Sequence, residues 1–417
     1  MKRHIIVIGG GAAGLMAAGC AARAGADVLV LEKMARPGRK LGISGKGRCN
    51  LTNVAGLPEF IAHFGKSGKF LHHAFSRFFS GELIDFFEGL GVALTTERGG
   101  RVFPAGAKAP DVVRALVHWA KAQGVQVKHS APVDELVLID GRVTGVVAQG
   151  LRFDGDAVIL ATGGASYPGT GSTGDGYRLA AAAGHSVVPI RPALVPLETA
   201  EATGEMAGLT LKNVGVRLLV GGKKRRDVFG EMCFTEFGVA GPLILTLSGE
   251  AVDALGRGET VQLAIDLKPA LEDNKLDARL RRDFAEHGRE SMASLLRGLL
   301  PSQMIPVCLD QTAIAPEAVG NQVTAAERTR LRQWLKGLRL TVTDHRPLDE
   351  AIITAGGVDT REVDPKTMQS RLAPGLYFAG EILDLQADTG GYNLQAAFST
   401  GWLAGTSAAV ESRGELK

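Results

Sequence analysis

The sequence has little of what marks secreted, zinc-binding or membrane proteins. Its four cysteines are far apart and form no Cys-x-x-Cys pair, which argues against a disulfide framework or a zinc site and favours the reducing cytoplasm. The histidines show no metal-ligand spacing, so we expect no metal. No stretch reaches the roughly 18 consecutive apolar residues that a membrane span needs.

An excess of charge of one sign is also lacking. The chain has 47 Lys and Arg against 44 Asp and Glu, a net charge of +3, which by itself does not indicate a nucleic acid or an anionic membrane as partner. Glycine, in contrast, is abundant: 55 residues, gathered in short runs without a fixed period. Such runs are typical of backbone that approaches a ligand at several places. A length of 417 residues predicts two or three domains.

The first 31 residues predict a strand, a glycine turn, a helix and a second strand. Residues 5–8 and 28–31 are short β-branched runs of the kind found in buried parallel strands, and the Ala-rich residues 12–24 predict a helix that ends at Gly25. The basic start and apolar run also resemble a signal peptide. The glycines at positions 9, 10, 11 and 14 interrupt the apolar run, so we favour the strand and helix.

Further along, the pattern predicts an α/β fold with an inserted β-rich region from about residue 194. We expect a loop over 36–53, helices over 70–90, 111–123 (with Asp111 as cap), 174–183 and 394–409, strands over 125–128, 133–139, 142–148, 157–160, 214–220, 229–234, 243–247, 261–265, 340–343 and 376–379, and a mostly helical region over 269–336.

The most specific motif among the glycines is Gly9-x-Gly11-x-x-Gly14, between the first strand and the first helix. In this arrangement Gly9 permits a tight turn, Gly11 lets backbone approach a pyrophosphate, and Gly14 lets the helix pack closely. Glu32 follows the second strand, where an acid accepts hydrogen bonds from an adenosine ribose. A structural glycine turn is the alternative. The complete set favours dinucleotide binding.

A second glycine cluster near the C-terminus favours FAD over a nicotinamide cofactor. Gly380-Glu381 is followed by Thr389-Gly390-Gly391-Tyr392-Asn393, which opens a helix. The N-terminus of that helix would direct N–H groups at the flavin pyrimidine edge and stabilise the charge that develops there on reduction. The alternative is a capped structural helix, although a cap does not require two adjacent glycines.

A third candidate site lies at the end of the buried strand over 157–160. Ala161-Thr162-Gly163 form a small-residue turn at which a cofactor would lie against the sheet edge. The glycine- and hydroxyl-rich residues 166–176 follow, and we expect them to cross between domains near the flavin. A long surface loop is the alternative.

Several long motifs resemble those of the YhiN/BaiN-type flavoprotein family (aminoacetone oxidase-like and 3-dehydro-bile-acid reductase-like proteins). They are Arg-Lys-Leu-Gly-Ile-Ser-Gly-Lys-Gly-Arg-Cys-Asn-Leu-Thr-Asn (39–53), Glu-Arg-Gly-Gly-Arg-Val-Phe-Pro (97–104), residues 166–177, Arg-Pro-Ala-Leu-Val-Pro (191–196), Arg-Pro-Leu-Asp-Glu-Ala (346–351), Thr-Ala-Gly-Gly-Val (354–358) and residues 377–401. The resemblance spans nearly the whole chain.

The resemblance implies non-covalent FAD in a glutathione-reductase-like Rossmann domain (1–191 with 346–417), a β-barrel-like insertion (192–268 with 337–345) and a nested helical subdomain (269–336). It also implies that residues 39–53 wrap the cofactor. Lys40 suits an offset of the diphosphate charge. A redox role for Cys49 is conceivable, but we favour a buried structural thiol because no partner is near in sequence. The expected cofactor-binding set is Gly9, Gly11, Ala12, Ala13, Gly14, Glu32, Lys33, Arg39, Lys40, Ser44, Gly45, Asn50, Thr52, Val133, Ala161, Thr162, Gly163, Gly380, Glu381, Gly391, Tyr392, Asn393 and Leu394.

One motif departs from the family pattern. Residues 234–242 carry Glu236 where family members commonly have histidine, and Ala240 where they have serine. If that histidine moves protons, Glu236 does so here, or the substrate differs. A structural hairpin residue is the equal alternative. Tyr167, Arg101 and Arg346 are further candidates for the substrate side of the flavin, and each is equally suited to a structural hydrogen bond or ion pair.

Together these features predict an FAD-dependent oxidoreductase. We expect hydride transfer between flavin N5 and a small organic substrate lodged between the FAD domain and the insertion, with NAD(P)H as the transient electron donor. Two alternatives stay open: an oxygen-using amine oxidase and an RNA-interacting flavoprotein. The latter would use the basic turn Lys223-Lys224-Arg225-Arg226, for which a solvated turn is the simpler interpretation.

Overall fold

The computed structural model describes residues 2–410; Met1 and residues 411–417 of the expected FAD domain lie outside them. Contacts divide the chain into two compact units. The first holds the residues up to Ala193 together with those from Leu348 onward, and the second runs from Leu194 to Pro347. No helix within residues 2–410 has both the length and the apolar character needed to cross a membrane.

The first unit contains most of the chain. Its strands are β1 (His4–Ile8), β2 (Asp27–Leu31), β3 (Thr52–Asn53), β4 (Leu94–Glu97), β5 (Arg101–Pro104), β6 (Gln126–Lys128), β7 (Val133–Ile139), β8 (Arg142–Ala148), β9 (Leu151–Asp154), β10 (Ala157–Leu160), β11 (Val187–Ala193), β18 (Ile353–Val358) and β19 (Leu376–Phe378). Its helices are α1 (Ala12–Arg23), α2 (Arg39–Ile43), α3 (Leu57–Ala62), α4 (His72–Arg77), α5 (Ser80–Gly89), α6 (Ala109–Ala122), α7 (Asp175–Ala182) and α13 (Tyr392–Val410).

A parallel sheet in the order β19-β10-β1-β2-β6 forms the centre of this unit. The two central strands are buried from Ile5 to Ile8 and along all of β10, as expected for continuous apolar runs covered on both faces. The chain leaves β1 toward β2 on one side, and β10 lies on the other. In open α/β sheets a ligand binds at the carboxyl edge where the strand order reverses, here between β1 and β10.

Both ends of the chain contribute to this core, because α1 and α13 pack through glycines. A Cβ atom on Gly401 would lie 2.4 Å from the carbonyl oxygen of Ala13, and one on Gly405 would lie 2.1 Å from that of Ala17. The two contacts advance by four residues on both helices, so the helices run parallel. Tyr392, the first residue of α13, lies nine residues before Gly401, whereas Ala12, the first residue of α1, lies one residue before Ala13. The difference is eight residues. The N-terminus of α13 therefore projects about 12 Å beyond that of α1.

The second unit is a closed barrel with helices inserted between its last two strands in sequence. The barrel order is β12-β15-β14-β13-β16-β17, all antiparallel. Its elements are β12 (Leu197–Thr199), β13 (Thr210–Val220), β14 (Lys223–Phe234), β15 (Gly238–Ala240), α8 (Pro242–Gly256), β16 (Val261–Asp266), α9 (Asp273–Glu286), α10 (Met292–Leu295), α11 (Met304–Thr312), α12 (Ala325–Gly337) and β17 (Leu338–His345). The predicted fold class, a Rossmann-like domain with an inserted barrel and helices, is confirmed.

Four local predictions were wrong. Residues 243–247 lie in helix α8, because Pro242 is well suited to the first helical position. The loop predicted over 36–53 contains α2, and the helix predicted over 70–90 is split, since Phe78 is extended. Asp111 is not the N-cap of α6. It occupies the third helical position, and its carboxylate accepts a hydrogen bond from the Lys108 amide.

Candidate functional site

The turn between β1 and α1 has the geometry that its glycines predict. Gly9 has φ +99°, and a Cβ atom there would lie 2.5 Å from the Ala161 carbonyl oxygen. On Gly14 a Cβ atom would lie 1.9 Å from the Gly9 carbonyl oxygen, so the first turn of α1 lies directly on the loop. Around Gly11, in contrast, a Cβ atom meets no atom within 4 Å. The start of α1 is therefore open above Gly11, as close approach of a ligand to the backbone requires.

Glu32, at the carboxyl end of β2, holds this turn in place. One of its carboxylate oxygens accepts a hydrogen bond from the Gly10 amide and the other from the Met34 amide, both at 2.7 Å. The Glu32 carbonyl oxygen in turn accepts from Ala131 N, which brings the start of β7 near this carboxylate. A buried carboxylate at this position organises the loop and keeps lone pairs for a further donor such as a ribose hydroxyl.

The turn before α13 lies against residues 50–53. When the Asn50 side-chain amide is oriented to satisfy its hydrogen-bond partners, its oxygen accepts a hydrogen bond from the Gly391 amide at 3.0 Å. A Cβ atom on Gly391 would lie 2.3 Å from the Thr52 carbonyl oxygen, which is why glycine is required. Asn53 Nδ2 donates to the Gly390 carbonyl oxygen at 3.1 Å. Sequence motifs more than 300 residues apart therefore form one surface at the N-terminus of α13.

Glu381 is the centre of a polar cluster between these two turns. Lys40 Nζ lies 2.8 Å from one Glu381 carboxylate oxygen and 2.6 Å from Ser166 Oγ. The other carboxylate oxygen accepts from the Thr354 amide at 2.8 Å. Lys40 is thus already partnered by Glu381, so any offset of diphosphate charge would be shared with this ion pair. Thr354 was not among the predicted site residues. The only feature of the sequence that pointed to it was the motif over 354–358, which resembles the family's.

The other predicted cofactor residues of the first unit lie on elements that surround the same sheet edge. Ala12, Ala13 and Leu394 belong to the first turns of α1 and α13; Ala161, Thr162 and Gly163 follow β10; Arg39, Ser44 and Gly45 lie on or after α2; Lys33 follows β2; Val133 begins β7; Gly380 follows β19. Lys33 Nζ lies 2.7 Å from an Asp175 carboxylate oxygen, which ties this edge to the start of α7. The Asn393 side-chain oxygen accepts a hydrogen bond from the Ala387 amide, and Asn393 Nδ2 donates one to the Ala387 carbonyl oxygen. These two bonds shape the turn before α13.

A second group of side chains that the sequence did not predict lies beside the N-terminus of α13. The His63 ring stacks on the Tyr392 ring with centroids 3.9 Å apart, and His63 Nδ1 lies 3.1 Å from an Asp388 carboxylate oxygen. The pKa of the Tyr392 hydroxyl is raised, mainly because the side chain is partly buried. Nothing in the sequence near His63 marked it, because its partners lie more than 300 residues away.

The four candidate substrate-side residues are divided between the two units. Tyr167 and Arg101 belong to the first unit: Tyr167 is half-buried with φ +53°, and Arg101 is exposed. Arg346 and Glu236 belong to the second. Arg346 NH1 lies 2.8 Å from a Glu198 carboxylate oxygen, and its guanidinium lies over the Phe237 ring. Glu236 is exposed in the turn between β14 and β15.

No cluster of His, Cys, Asp and Glu within residues 2–410 has the arrangement of a metal site. Within residues 2–410 the four cysteines form no disulfide. Cys49 is fully buried, and desolvation raises its pKa to about 12. This environment is that of a structural thiol rather than of a redox-active one.

We expect Cys49 to resist alkylation in the native protein. At pH 8 a thiol of pKa about 12 has roughly 10³-fold less thiolate than one of ordinary pKa, and Cys49 is also inaccessible. Iodoacetamide labelling followed by peptide mass spectrometry should modify the half-exposed Cys233 long before Cys49. Equal labelling rates in the native state would contradict a buried, structural Cys49.

The residues present fit FAD. Two helix N-termini, each preceded by glycine, point the same way, and α13 extends about 12 Å beyond α1. The first N–H groups of a helix have no partners within it and carry partial positive charge, so α1 suits a diphosphate and α13 an electron-rich ring edge. Glu32 suits the ribose hydroxyls. A mononucleotide would engage the α1 end alone.

Comparisons with known proteins agree with this arrangement. A family model described as "HI0933-like protein Rossmann domain" matches residues 3–407. A 3-dehydro-bile acid delta(4,6)-reductase of Clostridium scindens is 34% identical over 97% of this chain and 99% of its own length. A ribosomal RNA dihydrouridine synthase of Escherichia coli is 30% identical over 95% of this chain and 96% of its own.

Among solved structures, a 3-ketosteroid delta1-dehydrogenase from Sterolibacterium denitrificans has the same fold. It superimposes with a TM-score of 0.51 at 14% identity, covering 98% of this chain and 100% of that one. The family resemblance seen in the sequence motifs is confirmed by the family match and the two relatives. The chain therefore belongs to the HI0933-like family of Rossmann-fold, FAD-binding proteins, and it is an FAD-dependent oxidoreductase.

Proposed function

We propose that this protein binds FAD non-covalently and reduces a carbon–carbon double bond conjugated to a carbonyl group. The observation that carries FAD binding is the pair of parallel helix N-termini, one beside the Gly9 turn and one beside Gly391, within a single compact unit. Bound FAD supplies hydride from its N5 position. We expect NADH or NADPH to provide the electrons, and the cytoplasm to be the site of action.

The chain's own residues prepare this site for anionic and electron-rich groups. The amides of the first turn of α13 stabilise negative charge at a ring edge, and their direction is fixed because Asn50 and Asn53 hold the Gly390-Gly391 turn. At the other end, Glu32 fixes the Gly9 turn through the Gly10 amide. Between them, the Lys40–Glu381 pair offers a donor and an acceptor for the hydroxyls of a ribityl chain.

The activities for which the two relatives are named support the choice of reaction. A delta(4,6)-reductase removes unsaturation from its substrate, and dihydrouridine is uridine whose ring double bond, conjugated to a carbonyl, has been reduced. The two substrates differ in size and charge, whereas the bond that is reduced is of the same kind. We therefore propose that this protein reduces the same type of bond, in a substrate that is a small molecule or an RNA.

The test is anaerobic stopped-flow spectroscopy of the purified yellow protein. We expect NADH or NADPH to bleach the flavin absorbance and a conjugated enone or a uridine-containing RNA to restore it. Denaturation should release FAD, as non-covalent binding requires. If instead the colour returns only with oxygen, with peroxide as product, the protein is an oxidase, the amine-oxidase alternative is supported and our proposal is wrong.

A further inference from the structure

A basic segment of the chain lies beside the predicted flavin end of the first unit. From Lys33 to Pro58 the chain has six Lys and Arg residues and no Asp or Glu. Two of these cations have the partners already described, Lys33 with Asp175 and Lys40 with Glu381. We group three of the other four, Arg39, Lys46 and Arg48, with Arg98 and Arg101 at the turn between β4 and β5. We call Arg39, Lys46, Arg48, Arg98 and Arg101 the cationic patch; all five are exposed.

Two arginines of the patch lie at the buried Phe103 ring. The guanidinium carbon of Arg48 lies 4.3 Å from the ring centroid and that of Arg101 lies 5.8 Å from it. Arg48 is paired with Glu97, the single carboxylate of this turn, and that contact lowers the pKa of Glu97. Within the described residues 2–410, Arg39, Lys46, Arg98 and Arg101 take part in no ion pair. Arg101, opposite Glu97 in the strand pairing, also lowers the pKa of Glu97, so this one carboxylate is shared by two of the five cations.

This patch adjoins the N-terminus of α13. Asn53 pairs with Arg101 across β3 and β5, and Asn53 Nδ2 donates both to the Gly99 carbonyl oxygen at 2.9 Å and to the Gly390 carbonyl oxygen at 3.1 Å. One amide group thus joins the arginine turn to the Gly390-Gly391 turn. Val54 and Ile43, each 48% exposed, add apolar surface beside the charges.

We propose that the cationic patch binds the phosphate backbone of RNA, so that a uracil base of the bound strand reaches the flavin; this rests on the function proposed above. Several exposed cations on neighbouring loops suit a chain of phosphates better than the single 2′-phosphate of NADPH. Guanidinium planes also stack on unpaired bases. The cationic patch differs from the basic turn Lys223–Arg226, where Lys224 pairs with Asp227 and Arg226 with Glu250, so half of that turn's charge is compensated.

The experiment is fluorescence anisotropy of FAD-loaded protein with an oligouridylate of about 20 nucleotides over a series of salt concentrations. The test variant is the double substitution R98Q and R101Q, and the matched control is K223Q and R225Q, which removes the same charge elsewhere. Each phosphate contact to a single strand contributes about 0.7 to the salt slope. We expect the test variant to lower the slope by about 1.4 and to weaken binding about 25-fold near 0.1 M salt. The control should change neither value.

Three results would overturn the proposal. One is wild-type binding no tighter than about 10⁻⁴ M near 0.1 M salt. Another is equal weakening in the two variants, which would show that only net charge matters. The third is a higher KM for NADPH but not NADH in the test variant with RNA binding intact, which would assign the patch to the nicotinamide cofactor. FAD content of each variant, read from its absorbance, shows that the site has folded. Because RNA binding is measured without turnover, failure here is separable from failure of the proposed reaction.

Discussion

Gly11→Ala should abolish tight FAD binding while leaving the apoprotein folded. Gly11 has φ −81°, which alanine adopts readily, and a Cβ atom there meets no protein atom within 4 Å. The added methyl group instead occupies the space through which a diphosphate approaches the first amides of α1. Loss of these charge-assisted hydrogen bonds, each about 1.5–3 kcal/mol, predicts at least a 100-fold weaker Kd. Titration of the apoprotein with FAD, followed by flavin fluorescence, measures it.

The matched comparison is Gly14→Ala, at the third residue of α1 and three positions after Gly11. There the Cβ atom would lie 1.9 Å from the Gly9 carbonyl oxygen, so the turn itself must move. We expect this variant to lose thermal stability as well as FAD. For Gly11→Ala the free energy of unfolding of the apoprotein should change by no more than about 1 kcal/mol, as for a helix N-cap substitution, so its Tm should stay near that of the wild type. Unaltered FAD affinity in Gly11→Ala would show that the cofactor does not approach α1.

The parallel sheet was the most predictable part of the molecule. Its strands are short β-branched runs such as 5–8 and 157–160, and burial on both faces leaves no room for polar residues in such strands. The glycine motif was equally informative, since Gly9 and Gly14 are required by a positive φ and by a contact with backbone. Both signals are local, which is why a single sequence reveals them.

Features that depend on distant parts of the chain were not predictable. The run over 243–247 is too short for its period to separate strand from helix, and it lies in the first turns of helix α8. Thr354 joins the candidate site only because folding brings its amide to the Glu381 carboxylate. The basic turn at 223–226 is a run of four consecutive cations and is therefore visible in the sequence. The cationic patch combines residues 39–48 with 98–101 and forms no such run.

Gly405→Leu should destabilise the first unit strongly, because this glycine lets α13 approach α1. Even a Cβ atom there would lie 2.1 Å from the Ala17 carbonyl oxygen, so the helices must separate before the leucine fits. Overpacking of this kind costs about 3 kcal/mol or more, and in a unit of this size we expect a fall in Tm of about 10 °C. Differential scanning calorimetry of the FAD-free protein measures it.

Gly81→Leu provides the matched control, since Gly81 is also helical and lies in the same unit. A Cβ atom at Gly81 meets nothing within 4 Å, so its Tm should stay near that of the wild type. Gly405→Leu should in addition weaken FAD binding, because a displaced α13 carries the Gly391 turn away from Asn50 and from the Gly9 turn. If Gly405→Leu melts like Gly81→Leu and still binds FAD, the two ends of the chain do not share the tightly packed core on which the long cofactor site depends.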